Sequence, residues 1–432
     1  MIVYLLHVLC LLGLAAAGWV AYAKPHMRWG AVGASVALAC AAASLLWIHS
    51  EPQHKLFSDF YKAYRPAGEA VLYDHSHILA LYEPAHFVNI PLVSLLFVPF
   101  AAMPYEASGY VFLVLGLIAL GFVAYHLFRN TDGDPALRVI VVLAVLAANG
   151  PLFNSLREGN STHFLFLLIL PGAYLLGRGR PVPAGVLLAL AALLKLPLAM
   201  FGFYFLVTRQ WKALAAFAAT GAFLGLLSVA IFGLPMNKAW HEKAIQPFQK
   251  RPIAAFNTQS VSGVVARAMS PGHLWDWNPI KRPPKFRTIR NTLTFPLVAI
   301  TFLTIVFARS PRTPARVATE MAAVMTLAFL ISPLTWTHYY LMLAWPAAML
   351  LTGTWALPKS RLVNALLLLG VLLFMMPVIL AIPEQPFFAM LYERVLLSHF
   401  FFGAVLILSL LVASLWFGNR LDERMEEQCD ST

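Results

Sequence analysis

The chain alternates between long apolar stretches and short polar clusters. The windows 29–50, 107–128, 139–156, 213–237, 321–358, 362–383 and 395–419 contain no Asp, Glu, Lys or Arg. A helix needs about 20 predominantly apolar residues to cross the hydrocarbon core of a bilayer, and most of these windows reach that length. The pattern predicts an all-α polytopic membrane protein, a single integral membrane domain over residues 1–432, with no soluble part large enough to fold alone.

Three segments need separate treatment. Residues 2–23 have no positive charge before their apolar run, so they read as a retained first span and not as a signal peptide. Residues 91–104 lie between Pro91 and Pro104 and are too short to cross, which predicts a re-entrant or buried piece. Residues 181–208 have Arg178 and Arg180 on one side and Arg209 and Lys212 on the other. Two half-helices that break near Lys195-Leu196-Pro197 reconcile this, since proline removes a helix donor. Irregular backbone at membrane depth is tolerated where protein or a water-filled cavity covers it.

Lys and Arg mark cytoplasmic loops. Lys24/Arg28, Arg129/Arg138, Arg178/Arg180, Arg209/Lys212, Arg309/Arg312/Arg316, Lys359/Arg361 and the tail 418–432 are therefore placed inside. The complementary loops 51–90, 156–162, 234–288, 332–338 and 383–395 fall outside. Of these, 51–90 and 234–288 have room for interfacial helices. The loop 234–288 is itself basic, and long loops obey the charge bias poorly. This reading predicts a multi-pass inner (plasma) membrane protein whose polar site faces the periplasmic or extracellular side.

Composition agrees with the pattern. The chain is 60% apolar and 12% charged, where soluble proteins carry about a quarter charged residues. The net charge of +12 fits lipid headgroups and cytoplasmic loops, so no nucleic-acid partner is inferred. Cys10, Cys40 and Cys429 lie in two spans and the tail and form neither a disulfide framework nor a metal-ligand spacing.

The unusual polar residues gather on the outer side. They are Asp59 and Tyr61 in Ser58-Asp59-Phe60-Tyr61, Glu83 in Tyr82-Glu83-Pro84, and Arg157, Glu158 and Asn160 at a span end. Lys195 sits at the tip of the half-helix pair. Asn257, Gln259 and Arg267 lie in the large loop, and Trp336 and His338 in "SPLTWTHYY". Each has a plain structural reading. Asp59 suits an N-cap, Arg157 and Glu158 suit an interfacial pair, and Trp336 and His338 suit interfacial anchors. Lys195 suits snorkelling, although a lysine between long apolar stretches is costly and tends to face a cavity or a partner. Together the residue types suit one kind of chemistry. A carboxylate takes a proton from a hydroxyl, while Lys, Arg and His neutralise a phosphate that gains charge as it leaves. Residue types alone lead only to an outer-facing polar cavity that holds an anion. Nothing calls for a metal or other cofactor, since no dense carboxylate cluster of the kind divalent cations need is present.

Six segments in order, "SDFYKAYRPAGEAVL", "YEPAHFVNIPLVSLLFVPFAAMP", "REGNSTHFLFLLIL", "RGRPVPAGVLLALAALLKLPLAM" with "RQW", "NTQSVSGVVAR" and "SPLTWTHYYLMLAWP", resemble the polyprenol-phosphate-dependent glycosyltransferases of family 87. The resemblance covers about 55 to 350 and implies a GT-C-like bundle of about 11 spans with re-entrant or short half-helices. It implies a sugar donor carried on polyprenyl phosphate. It maps the catalytic base of the first outer loop onto Asp59, the Lys-x-x-Pro-like element onto Lys195, and the last motif's Trp and His onto Trp336 and His338. The chain departs from the family in three places. Gly159-Asn160-Ser161-Thr162 stands where Gly-Gln-x-Asn is usual, Tyr339 replaces a second His, and span 2–23 is additional.

The expectation is therefore a membrane hexosyltransferase that moves a hexose, mannose above all, from a polyprenyl-phosphate-linked sugar to a lipid or glycan acceptor, with inversion. Asp59 is the general base. Lys195, His338 and Arg157 bind the donor phosphate. Tyr61, Glu83, Glu158, Asn160, Asn257, Gln259, Arg267 and Trp336 bind substrate. The competing class is a lipid-linked sugar flippase, which holds the same headgroup without chemistry.

Overall fold

The structure is a computed structural model that describes residues 2–49, 56–82, 87–308, 312–378 and 382–429, the side chains of 49 and 418–429 aside. Among the described residues the regular structure is helical, with no strand. The one ladder-like contact is an isolated bridge between Thr258 and Trp336.

Seven helices among the described residues are long and apolar enough to cross a bilayer: Ile2–Ala23, Pro25–Ile48, Tyr105–Asn130, Trp211–Lys250, Phe286–Phe307, Pro314–Ile331 and Pro386–Phe417. A pair, Pro135–Ala147 and Gly150–Glu158, is long and apolar enough only when taken together and is bent by 50°, the geometry of a broken span or a re-entrant loop. The other apolar segments, Pro91–Ala101, Ser161–Gly177, Pro181–Leu194, Leu196–Val207 and Arg361–Met375, are shorter. Uninterrupted spans among the described residues are thus fewer than the about 11 that the family resemblance implies. The reason is that hydropathy does not register backbone breaks inside buried apolar stretches. The window 139–156 contains the bend at Asn149, whose Oδ1 accepts the Leu152 N–H at 3.0 Å and caps the second half. The window 321–358 contains the end of one helix at Ile331, a 3₁₀ turn Thr337–Leu343 and a short helix Ala344–Leu351.

The expected breaks appear as local structure. Pro91–Phe97 is a 3₁₀ turn that leads into the one-turn helix Val98–Ala101. Helix Pro181–Leu194 ends at Lys195, which is extended (φ −137°, ψ 99°), and the 3₁₀ turn Leu196–Ala199 follows. A break of this kind frees carbonyls that must be satisfied inside the membrane. The Asn89 side chain does so, donating to Leu194 O at 2.8 Å.

The polar loops segregate to two ends. At one end Arg28 pairs with Asp134 at 2.8 Å, and the Asp132 N–H donates to Thr354 Oγ1 at 2.8 Å. Elsewhere in the bundle the buried Glu320 accepts from Arg316 Nε at 2.8 Å, Arg312 Nη2 at 3.2 Å and the Tyr204 hydroxyl at 2.9 Å. A buried carboxylate survives when it is paired and fully hydrogen-bonded. The other end carries the cavity described next.

Candidate active site

The cavity is assembled from four pieces of backbone. The first is the arm that begins at residue 56. Phe57 takes a left-handed conformation (φ 63°), and its N–H donates to Arg157 O at 2.7 Å, hooking the arm onto the end of helix Gly150–Glu158. The chain then winds through the π turn Phe60–Tyr64 into helix Arg65–Tyr73. Phe60 stacks on Phe112 at 4.9 Å and Tyr64 on Phe97 at 4.7 Å. Each fully buried aromatic of this kind contributes ~1.5–3 kcal/mol, so the arm is held firmly. Helix Arg65–Tyr73 approaches the 3₁₀ turn so closely at Gly68 that a Cβ there would lie 2.4 Å from Phe97 O.

Asp59 projects from this arm. Its backbone is helical and its side chain makes no capping bond. Instead its Oδ2 accepts from Asn160 Nδ2 at 2.7 Å.

The second piece places Asn160. Helix Gly150–Glu158 stops at Gly159, which is left-handed (φ 65°, ψ 36°) and sits where a Cβ would be 2.6 Å from Phe60 Cβ. Glycine is the residue that takes this conformation without strain. The chain then turns outward at Asn160. Its Oδ1 accepts from Thr162 N at 3.1 Å, Thr162 Oγ1 at 2.7 Å and Lys195 Nζ at 3.4 Å. One carboxamide therefore donates to Asp59 and accepts from Lys195. Ser155 Oγ braces the turn from behind, donating to Asn160 O at 3.3 Å and lying 3.1 Å from His163 Nδ1.

The third piece is the break at Lys195. The side chain is buried, with Nζ 4.8 Å above the Tyr339 ring. It is close enough to Asp59 for the two charges to interact. The snorkelling expected of an idle lysine does not occur.

The fourth piece joins the large loop to the last motif. Gln259 N donates to Thr335 O at 2.8 Å, and Thr337 N to Asn257 O at 2.9 Å. This pairing sets Asn257, Trp336 and His338 along one wall. His338 is buried, and its Nε2 has no hydrogen-bond partner among the described residues.

The four pieces enclose about 730 Å³. Asp59, Arg157, Glu158, Asn160, Lys195, Asn257, Trp336 and His338 all line this space. Three other expected residues lie off it, and each donates to backbone carbonyls instead. The Tyr61 hydroxyl donates to Tyr105 O at 3.0 Å, and its ring stacks on Tyr105. Gln259 Nε2 donates to Phe256 O and Leu397 O, both at 2.9 Å. The fully buried Arg267 donates to Ala255 O at 2.9 Å, to Thr258 O and to Ser398 Oγ at 2.8 Å. Glu83 lies outside the described residues.

The cavity also holds residues that were not among the expected site residues, although Tyr64, Asn89 and Tyr339 lie inside the matched segments. Tyr64 and Tyr339 flank the Asp59 side, and Asn89 and Asn154 lie along the walls. Burial and the nearby Asp59 carboxylate push the Tyr64 phenol well above its usual range, so it stays protonated; it accepts from Ser161 Oγ at 3.2 Å. Trp275, Asp276, Trp277 and Asn278 form part of the rim. The signal for these was present in "LWDWNP", where aromatic and hydrogen-bonding residues alternate within an otherwise basic loop.

Comparison with known proteins places this cavity in a family. A polyprenol-phosphate-mannose-dependent alpha-(1-2)-phosphatidylinositol pentamannoside mannosyltransferase of Mycolicibacterium smegmatis is 24% identical over 76% of this chain and 79% of its own length. A polyprenol-phosphate-mannose-dependent alpha-(1-2)-phosphatidylinositol mannoside mannosyltransferase of Mycobacterium tuberculosis is 28% identical over 42% of this chain and 45% of its own. Its namesake in Mycolicibacterium smegmatis is 29% identical over 42% and 44%. No solved structure matches the chain. The signature of glycosyltransferase family 87 matches residues 87–333, which includes Asn160, Lys195 and Asn257 and leaves Asp59, Trp336 and His338 on either side. That match spans more than half of the chain, and the protein belongs to glycosyltransferase family 87.

Proposed function

We propose that this transferase moves a hexose, mannose being the sugar named in its relatives, from a polyprenyl-phosphate carrier to a lipid or glycan acceptor. The observation that carries the reading is the pairing of a carboxylate and a buried ammonium through one amide, Asp59–Asn160–Lys195, inside a closed-in cavity. Sugar transfer with inversion needs a base on one side of the anomeric carbon and positive charge at the departing phosphate on the other. Membership of a glycosyltransferase family favours this over a flippase, which needs the cation and no base.

In this reading Asp59 removes the proton of an acceptor hydroxyl. The hydroxyl oxygen forms a bond to the anomeric carbon while the bond from that carbon to the phosphate oxygen breaks. The electron pair leaves with the polyprenyl phosphate. Lys195, His338 and Arg157 meet the charge that develops there, and such preorganised stabilisation is worth more in a water-poor site than in bulk water. Asn160 keeps base and cation in register. Glu158, Asn257 and Trp336 hold the sugar.

Tyr4 and Leu46 line the cavity from helices Ile2–Ala23 and Arg28–His49, so the basic turn Lys24/Arg28 that joins those helices lies a helix length away from it. By the positive-inside bias this supports a cavity that opens on the periplasmic or extracellular face of the inner (plasma) membrane. The test is transfer of label from polyprenyl-phosphate [¹⁴C]mannose to a mannosylated lipid extract by the purified protein in detergent. Without a bilayer there is nothing to flip. Labelled product above a no-protein control supports the transferase reading; absence of product across the hexose donors overturns it.

A further inference from the structure

The rim of the cavity carries Trp275, Asp276, Trp277 and Asn278, which neither the motifs nor the mechanism above uses. The two indoles are part-exposed, at 48% and 38% of their full surface. Tryptophans of an interfacial belt face lipid. These two line the polar cavity beside a carboxylate and an amide.

The loop is built to hold its shape. Trp277 Nε1 donates to Asn257 Oδ1 at 3.0 Å, which ties the rim to the cavity wall. The Trp275 ring lies 5.1 Å from that of Phe256, and Phe256 N donates to Leu274 O at 3.0 Å. At the other end Gly272 N donates to the Glu393 carboxylate of helix Pro386–Arg394. Asp276 Oδ1 accepts from Asn278 N at 2.9 Å and from Asn278 Nδ2 at 3.0 Å. These bonds hold the carboxyl below the usual carboxylate range, so it is an acceptor at every physiological pH.

Flat aromatic faces beside a fixed carboxylate and an amide match the chemistry of a pyranose ring. The axial C–H face of the sugar lies on the indole, and its equatorial hydroxyls donate to Asp276 and pair with Asn278. Ligand sites of this type combine apolar walls with a few well-placed polar groups. We propose that residues 275–278 form the subsite for a sugar ring of the acceptor, so that the acceptor is a glycoconjugate and not a bare lipid. The loop lies at the mouth of the cavity whose interior holds Asp59, Asn160 and Lys195. A ring bound there would direct its hydroxyl inward while the donor occupies the interior.

The name acceptor rests on the transferase reading; the binding of a sugar does not. The test is therefore calorimetric titration of the purified, full-length protein with methyl α-mannoside, methyl α-glucoside and methyl α-galactoside, with no donor present. The expected result is saturable binding of at least one glycoside to the wild type. Binding weakens about tenfold in Trp275→Ala, the scale of one lost hot-spot contact. Trp275→Phe, which keeps a ring, restores most of it. Asp276→Asn, an exposed change that leaves packing intact, weakens binding as well. No saturable binding in wild type, or unchanged binding in both Trp275→Ala and Asp276→Asn, overturns the subsite. A protein that binds the glycosides and transfers no label would overturn the transferase reading and leave the subsite standing.

Discussion

Asn160 donates to Asp59 at 2.7 Å, and this bond crosses between two segments separated by 101 positions in sequence. It turns the carboxylate on the arm that begins at residue 56 into a fixed group. The same amide accepts from Lys195, so a single side chain sets the spacing between base and cation. The spacing is not a property of either charged residue.

Replacing Asn160 should therefore damage catalysis more than folding. Asn160→Ala removes a hydrogen bond to a charged group, worth ~1.5–3 kcal/mol, and kcat is expected to fall about ten- to a hundredfold. Because Asn160 also accepts from Thr162 N, a small drop in thermal stability accompanies it. Rates per folded protein separate the two effects.

Lys195→Ala should lower kcat by about 10²–10³-fold, the loss seen when one preorganised stabilising group is removed. Lys195→Arg should recover little of this. A guanidinium is planar and wider than an ammonium, and Nζ is packed over the Tyr339 ring. Steady-state rates with a saturating donor measure both. A Lys195→Ala enzyme with normal kcat would remove the phosphate-stabilising role.

Gly159→Ala meets two obstacles at once: a left-handed backbone and a Cβ 2.6 Å from Phe60 Cβ. The first alone costs ~1–2 kcal/mol, and relief of the second must move Phe60 or Asn160. The expected outcome is a lower melting temperature together with lost transfer. Retained activity in a folded Gly159→Ala protein would show that the turn can shift without disturbing Asp59.

Arg267→Leu should act on stability. Its guanidinium satisfies carbonyls of the 255–258 turn and Ser398, and leaving such buried acceptors unpaired costs ~1–3 kcal/mol each. Thermal unfolding in detergent should shift downward while donor and acceptor KM of the folded fraction stay near wild type. A KM change without a stability change would return Arg267 to the substrate-binding set.

The contrast between Lys195 and Arg267 shows how far the chain could be read in advance. A lone lysine between apolar stretches next to a proline leaves few options, because membrane depth forces a buried cation toward a cavity or a partner. The break and its cavity-facing side chain were legible. Arg267 and Gln259 lie in a stretch that reads as a long polar loop, where a side chain meets water, substrate or backbone with equal ease. Only the folded loop shows that backbone claims them. The bend at Asn149 and the 3₁₀ turn at Thr337–Leu343 were hidden for a different reason: apolar composition is the same on both sides of a break. The rim tryptophans were visible as residues, but their neighbours in space were not.

The most direct measurement is the rate of sugar transfer by purified Asp59→Asn at saturating donor and acceptor, together with donor binding. Asparagine keeps the shape and can still accept from Asn160, so the change removes the base and, with it, the charge that faces Lys195. The account predicts a fall in kcat of about 10²–10⁴-fold, the contribution of a positioned general base, with donor affinity retained. A rate within a few fold of wild type, with the protein folded and the donor bound, would contradict the assignment of Asp59 as the base.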